Sequence, residues 1–231
     1  MEKMDAYKAI KNYTDDIFIQ TETITTGVEI GKYPVQLNAN YKYCIGVIID
    51  DSVNQAAIFG IIDKGKFIVD EAHVRFLRIT SNNSGLCPTP CYTVADGTQK
   101  MVYLNKNGQV VASIKVYFIL SNNELINYKK INLTYDQVPT IIGTSTGTLF
   151  LNRKFNALKG VYVQPIAGTL TNITLRAGNK TLVENIDASQ FTLGGAPIGK
   201  NVIPIYTEIQ NIDYEITNTA VNRAYFIFLY E

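Results

Sequence analysis

The stretch Leu37-Asn38-Ala39-Asn40-Tyr41, running on to Gly46-Val47, decides the reading of the whole chain, because the chain contains it twice. Leu151-Asn152, Phe155 and Gly160-Val161 recur in the same order, each 114 residues after its counterpart. The same offset relates Ile61 to Leu175, Ile68-Val69 to Leu182-Val183, Leu77 to Phe191 and Ile79 to Leu193. It also reaches back to Ile17 and Ile19, which match Ile131 and Leu133. Tyr-Phe-Ile closes both units, at Tyr117 to Ile119 and at Tyr225 to Ile227, with an offset of 108. The second unit has therefore lost residues in a late loop. A period this long lies far beyond the ~20–50 residues of solenoid repeats, so a whole domain has been duplicated.

Within each unit the patterning is that of strands. Ile17 to Thr25 alternates with period two. Tyr41 to Ile49, Ala56 to Ile62, Phe67 to Val69, Val74 to Thr80, Met101 to Leu104 and Val110 to Leu120 are rich in β-branched and aromatic residues. Asp63-Lys64-Gly65-Lys66 reads as a hairpin turn, and Arg176-Ala177-Gly178-Asn179-Lys180 repeats it in the second unit. The last strands expected are Val202 to Tyr206, Asp213 to Thr217 and Arg223 to Tyr230. Ser81 to Pro90 reads as a loop and Ser121 to Glu124 as a linker. No helix of any length separates the strands, which excludes a βαβ architecture.

The expected fold is all-β: two tandem antiparallel β-sandwiches of jelly-roll type, 15–122 and 123–231, after a short helical arm at 1–14. Seven strands per unit would allow an immunoglobulin-like order and eight a jelly roll, so the topology stays open at this point. Met4, Tyr7 and Ile10 of the arm are the residues expected to order on a partner surface, since so short a helix is marginal alone in water.

Composition narrows the function classes. Basic and acidic residues number 21 and 20, giving a net charge of +1, which lacks the footprint of a nucleic-acid binder. Charged residues make up only 18% of the chain, and uncharged polar groups desolvate more cheaply than ions at a protein interface. No apolar leader follows Met1 and no run approaches the ~20 apolar residues of a membrane span, so synthesis in a cytoplasm is expected.

Motifs for chemistry are weak. Gly194 to Lys200 matches G-x-x-x-x-G-K, but Asn201 replaces the magnesium-binding hydroxyl and a β run with Pro204 follows, so it reads as a sandwich loop. Gly143-Thr144-Ser145-Thr146-Gly147 reads as a flexible loop whose hydroxyls could meet a sugar or anion. Asp15-Asp16 and Asp50-Asp51 read as turn residues, with no further oxygen ligands spaced for calcium. Cys44 reads as a small buried hydrophobe. Cys87 and Cys91 leave three readings open: free thiols, a loop disulfide, or two zinc ligands with His73 as a third. His73 is the only histidine, and no nucleophile context surrounds it, so no enzyme, cofactor or metal is expected.

The duplication marked by Leu37-Asn38 and Leu151-Asn152, the low charge and the N-terminal arm together resemble bacteriophage virion proteins built from tandem jelly rolls. Double jelly-roll capsid proteins and head-decoration proteins are the types meant. That resemblance implies self-association into a homo-oligomer, with a trimer as one form, contacts with other virion proteins, and location in the virion. The other class is a carbohydrate-binding module, for which Tyr41, Tyr92, Tyr103 and Tyr135 would supply stacking platforms.

Overall fold

The computed structural model describes residues 17–50, 57–77, 89–108, 110–124, 130, 132–165, 169–187, 203–208 and 210–230. They form two compact units, divided along the chain between Ile131 and Asn132. The arm residues Met4, Tyr7 and Ile10, the Gly194 to Lys200 loop, Cys87 and the Asp15-Asp16 pair lie outside the described residues.

In the first unit the strands are β1 (Ile17–Thr25), β2 (Ile30–Gln36), β3 (Tyr43–Asp50), β4 (Ile58–Asp63), β5 (Lys66–His73), β6 (Thr89–Val94), β7 (Gln99–Asn105) and β8 (Ser113–Ser121). In the second they are β9 (Asn132–Thr140), β10 (Gly143–Leu149), β11 (Ala157–Pro165), β12 (Leu170–Ala177), β13 (Lys180–Asp187), β14 (Ile203–Glu208), β15 (Ile212–Asn218) and β16 (Asn222–Tyr230). The four sheets run β1-β8-β3-β6 and β2-β7-β4-β5, then β9-β16-β11-β14 and β10-β15-β12-β13. Lettered B to I along each unit, both copies read B-I-D-G and C-H-E-F. That is the jelly-roll order of interleaved Greek keys, and it appears twice.

Irregularities recur with the regular parts. The D strand bulges between Cys44 and Gly46 in β3, and between Leu158 and Gly160 in β11. Gly46 lies opposite Pro90, and Gly160 opposite Pro204. Proline cannot donate to a ladder, so it suits an edge strand facing a bulge. The C–D corner is also built twice. Tyr41 N donates to the Asn38 carbonyl and Phe155 N to the Asn152 carbonyl. Each asparagine side chain accepts a second amide, from Asn40 at 3.0 Å and from Lys154 at 3.0 Å. Leu37 and Leu151 plug the core beside these turns. The aromatic then stacks, Tyr41 on Phe18 at 4.9 Å and Phe155 on Tyr230 at 4.5 Å. The recurring Leu-Asn-x-x-aromatic run is thus a turn signal and a core plug in one. In the E–F hairpin Lys64 and Gly65 both take positive φ, 48° and 78°, as a type I′ turn requires.

Each core lies between the paired sheets. In the first unit Val47, Ile49, Val116 and Phe118 face Phe59, Ile61, Val102 and Leu104, all buried. In the second, Val161, Val163, Phe226 and Phe228 pack with Ile173, Leu175, Tyr214 and Ile216.

The structure corrects the sequence reading in several places, and Ile30–Gln36, where Gly31 to Pro34 reads as a break between strands, is β2. Val74–Leu77 is a single helical turn, α1, where a strand was expected; Val74 and Leu77, three apart, are both buried on one face. Thr89–Val94 is a strand, although the expected loop ran through Pro90. Gly143 to Gly147 is not a loop but most of β10, because it pairs residue for residue with β15. Last, the Tyr-Phe-Ile match is slipped by two residues. Gly46 pairs with Ile119 while its counterpart Gly160 pairs with Leu229, so the true offset there is 110. A slip of two keeps every side chain on its face, which is why the pattern matched. The H–I connection shortens from residues 106–112 to residues 219–221.

Candidate interaction surface

One end of each jelly roll carries the B–C and H–I connections, and there the two copies share a feature. In the first unit these connections are laced together by backbone bonds. Thr26 N donates to the Ala112 carbonyl at 2.9 Å and Lys106 N to the Glu29 carbonyl at 2.8 Å. The Thr26 hydroxyl donates to the Val111 carbonyl, Lys106 Nζ to the Thr26 carbonyl at 3.3 Å, and Gly108 N to the Glu29 carboxylate at 2.5 Å. Above this lacing Val28 and Ile30 are 56% exposed and Val110 is 89% exposed.

The second unit laces the same end with different residues. Asn218 Nδ2 donates to the Thr140 hydroxyl at 2.9 Å and to the Ala220 carbonyl at 3.0 Å. Thr140 donates in turn to the Ala220 carbonyl at 3.2 Å, and Ile141 N is held by the Ser145 hydroxyl at 3.0 Å. Ile141, Ile142 and Val221 stand above it, 55%, 70% and 69% exposed. A single exposed aliphatic means little on a protein surface. Three on a hydrogen-bonded tip, in both copies, put exposed aliphatic side chains on a pre-ordered backbone, which loses little entropy on meeting a partner.

The residues singled out for chemistry lie elsewhere. His73 ends β5, and it is buried. Among the described residues no group of three or more His, Cys, Asp or Glu could hold a metal ion. Cys91 faces Cys44 with the sulfurs 3.8 Å apart, both buried and both free thiols. The hydrogen bond to Cys44, then burial, pushes the Cys91 thiol well above its ordinary value. Gly46 and Gly160 fix the register, so the counterparts of Cys44 and Cys91 are the buried Leu158 and Ile205. The thiols occupy hydrophobic positions, as expected for Cys44.

The four tyrosines of the carbohydrate reading are not brought together. Tyr41 stacks on Phe18. Tyr92 stacks on Tyr43 at 5.4 Å and donates to Glu124; burial, then that bond, pushes its phenol up to about 12. Tyr103 meets Phe67 edge-on on the outer face of the other sheet. Tyr135 belongs to the second unit, tilted against Tyr225.

A polar cluster around a buried lysine escaped sequence reasoning. Lys100 on β7 is 1% exposed, and its Nζ reaches Asp63 at 3.0 Å, Thr98 at 2.8 Å and Asp96 at 3.5 Å. The Thr93 hydroxyl donates to the other oxygen of Asp63. The Thr98 hydroxyl, then the Thr98 amide, lower the Asp96 carboxyl to about 2. The ammonium donates to Asp63 and Thr98 and stands in an ion pair with Asp96, the kind of pairing that a buried lysine requires. No local pattern announces it, because Asp63 and Lys100 are 37 residues apart.

No helix among the described residues is long and apolar enough to cross a membrane. No protein-family model matches this chain, and no curated protein sequence matches it. Among solved structures, the chain is similar to the major capsid protein of bacteriophage PM2, with a TM-score of 0.45 and 8% identity over 92% of this chain and 97% of that one. It is similar to PBCV-1 VP54, as fitted into a reconstruction of the virophage Sputnik, with a TM-score of 0.47 and 11% identity over 94% of each. A conserved protein of unknown function from Pseudomonas aeruginosa PAO1 overlaps at a TM-score of 0.25 and 9% identity, over 93% of this chain and 82% of that one. The jelly-roll assignment itself rests on the strand pairing described above.

Proposed function

We propose that this chain is a structural subunit of a virus particle, working by symmetric self-assembly as a bacteriophage capsid, minor capsid or head-decoration protein. The observation that carries this reading is the laced apolar tip built on the same end of both jelly rolls. Jelly rolls serve in both viral capsids and lectins. A sugar site needs its aromatics gathered, and here they are scattered; an assembly subunit needs rigid, repeated contact points, and here they recur. One chain with two such blocks acts as two quasi-equivalent subunits, so many modest interfaces add through multivalency. The arm at 1–14 orders on a neighbour through Met4, Tyr7 and Ile10, and the assembled state is a homo-oligomer such as a trimer, joined to other virion proteins.

Size-exclusion chromatography with light scattering tests the reading. The expected mass is a multiple of 25.7 kDa. A strict monomer at every concentration, which also fails to enter particles when co-expressed with other shell proteins, overturns it.

A further inference from the structure

Among the described residues four sheets present eight edge strands, and an unprotected edge is an invitation to pair with another chain. Seven of the eight are blunted. β1 carries Glu22, β2 carries Lys32 and Pro34, β5 carries Asp70, β6 carries Pro90, β9 carries Asp136 and Pro139, β13 carries Glu184, and β14 carries Pro204. β10 alone has no charge, no proline and no bulge: Gly143-Thr144-Ser145-Thr146-Gly147-Thr148-Leu149 pairs with β15 without a register shift. Among the described residues no strand hydrogen-bonds its other side.

From this edge we infer that β10 is a self-pairing strand, joining two copies of the chain about a two-fold axis into one continuous eight-stranded sheet. The inference rests on the assembly reading above and names one contact within it. The sequence of β10 is complementary to itself. An axis through Thr146 sets Thr146 opposite its own copy, Thr144 opposite Thr148 and Ser145 opposite Gly147. Thr144, Thr146 and Thr148 are the exposed, outward members of the strand. Cross-strand threonine pairs are favourable, and no like charges meet. Gly147 is covered by Tyr214, whose hydroxyl would stand 2.7 Å from a Cβ there, so the glycine is already capped within its own sheet. Isologous pairing of this kind closes as a dimer and does not propagate along that edge.

Thr146→Lys tests this, because its effects inside and between copies have opposite sign. Within the sheet the new ammonium faces Glu215 on β15, which favours the fold. Across the two-fold axis it faces another ammonium. The expected result is thermal unfolding at or above the wild-type temperature with self-association at least tenfold weaker by sedimentation velocity. Mixing Thr146→Lys with Thr146→Glu should restore dimers that neither variant forms alone. Thr146→Cys should give a disulfide-linked dimer under mild oxidation, a readout that does not depend on charge. If the wild type associates and all three variants behave like it, with no crosslink, the β10 pairing is overturned while the assembly reading stands. If the wild type never associates, both fall.

Discussion

The two jelly rolls place opposite chemistries at one position of one scaffold. In the first, Asp63 at the end of β4 stands beside Lys100 on β7, one step beyond the Ile62–Met101 pair. In the second, the step beyond Arg176–Asp213 sets Ala177 beside Ile212, both buried. The E–F hairpin next to them is built in both copies. The fold therefore does not require the ion pair. What the pair does is organise its surroundings: it draws in Thr93, Thr98 and Asp96 and so ties the G–H connection of the first unit to its core. A buried lysine and its half-buried carboxylate are costly to desolvate, and an apolar pair of similar volume holds a sheet at least as well. One position of the scaffold thus accepts either solution.

The sharpest way to break this comparison is to remove half of the pair. Lys100→Met leaves Asp63 facing the core without its cation and should cost the first unit about 3–5 kcal/mol. Asp63→Ala with Lys100→Ile installs the second unit's pair in the first, and the double variant should fall within about 1 kcal/mol of wild type or above it. Urea unfolding followed by hydrogen exchange in β4 and β7 measures both. A double variant as damaged as the single one would show that the two environments are not interchangeable.

A smaller effect is expected at the tips, where the copies agree in outcome and differ in residues. Val110→Asp and Ile142→Asp should leave unfolding within about 0.5 kcal/mol, as surface substitutions do. Each should weaken self-association by about 1–2 kcal/mol, the scale of losing one buried aliphatic side chain. Sedimentation equilibrium reads this directly. If only one tip matters, the two blocks are not equivalent in the assembly.

The comparison also shows what a sequence can disclose. Duplication was legible because turns and plugs carry local signatures: Leu37-Asn38 and Leu151-Asn152 are a corner, and Asp63 to Lys66 is a two-residue hairpin. Strand existence was legible wherever β-branched residues alternate. β10 was missed because Gly143, Ser145 and Gly147 are residues of loops and interrupt its threonines, and only pairing with β15 makes the segment a strand. β6 was missed because Pro90 argues against a strand until a bulge opposite Gly46 accommodates it. The polar cluster and the tips were not legible at all, since each joins residues from connections far apart in sequence.

The smallest expected effect concerns acid, and it again separates the copies. Asp96 belongs to the cluster that only the first unit has. Its carboxyl accepts the Thr98 hydroxyl at 2.5 Å and the Thr98 amide at 3.0 Å, and Lys100 stands nearby, so its affinity for a proton drops to about 2. An unfolded aspartate titrates near 4. Folding therefore releases a proton between those values. The stabilisation is present in full above pH 4 and drains as pH falls through about 2. The Thr98 amide resonance should titrate with its midpoint near 2, while the 209–211 connection of the second unit, which has no aspartate, shows no such step. A Thr98 midpoint near 4 would mean that these bonds do not hold in solution. The G–H connection would then be tied down by Lys100 and Asp63 alone.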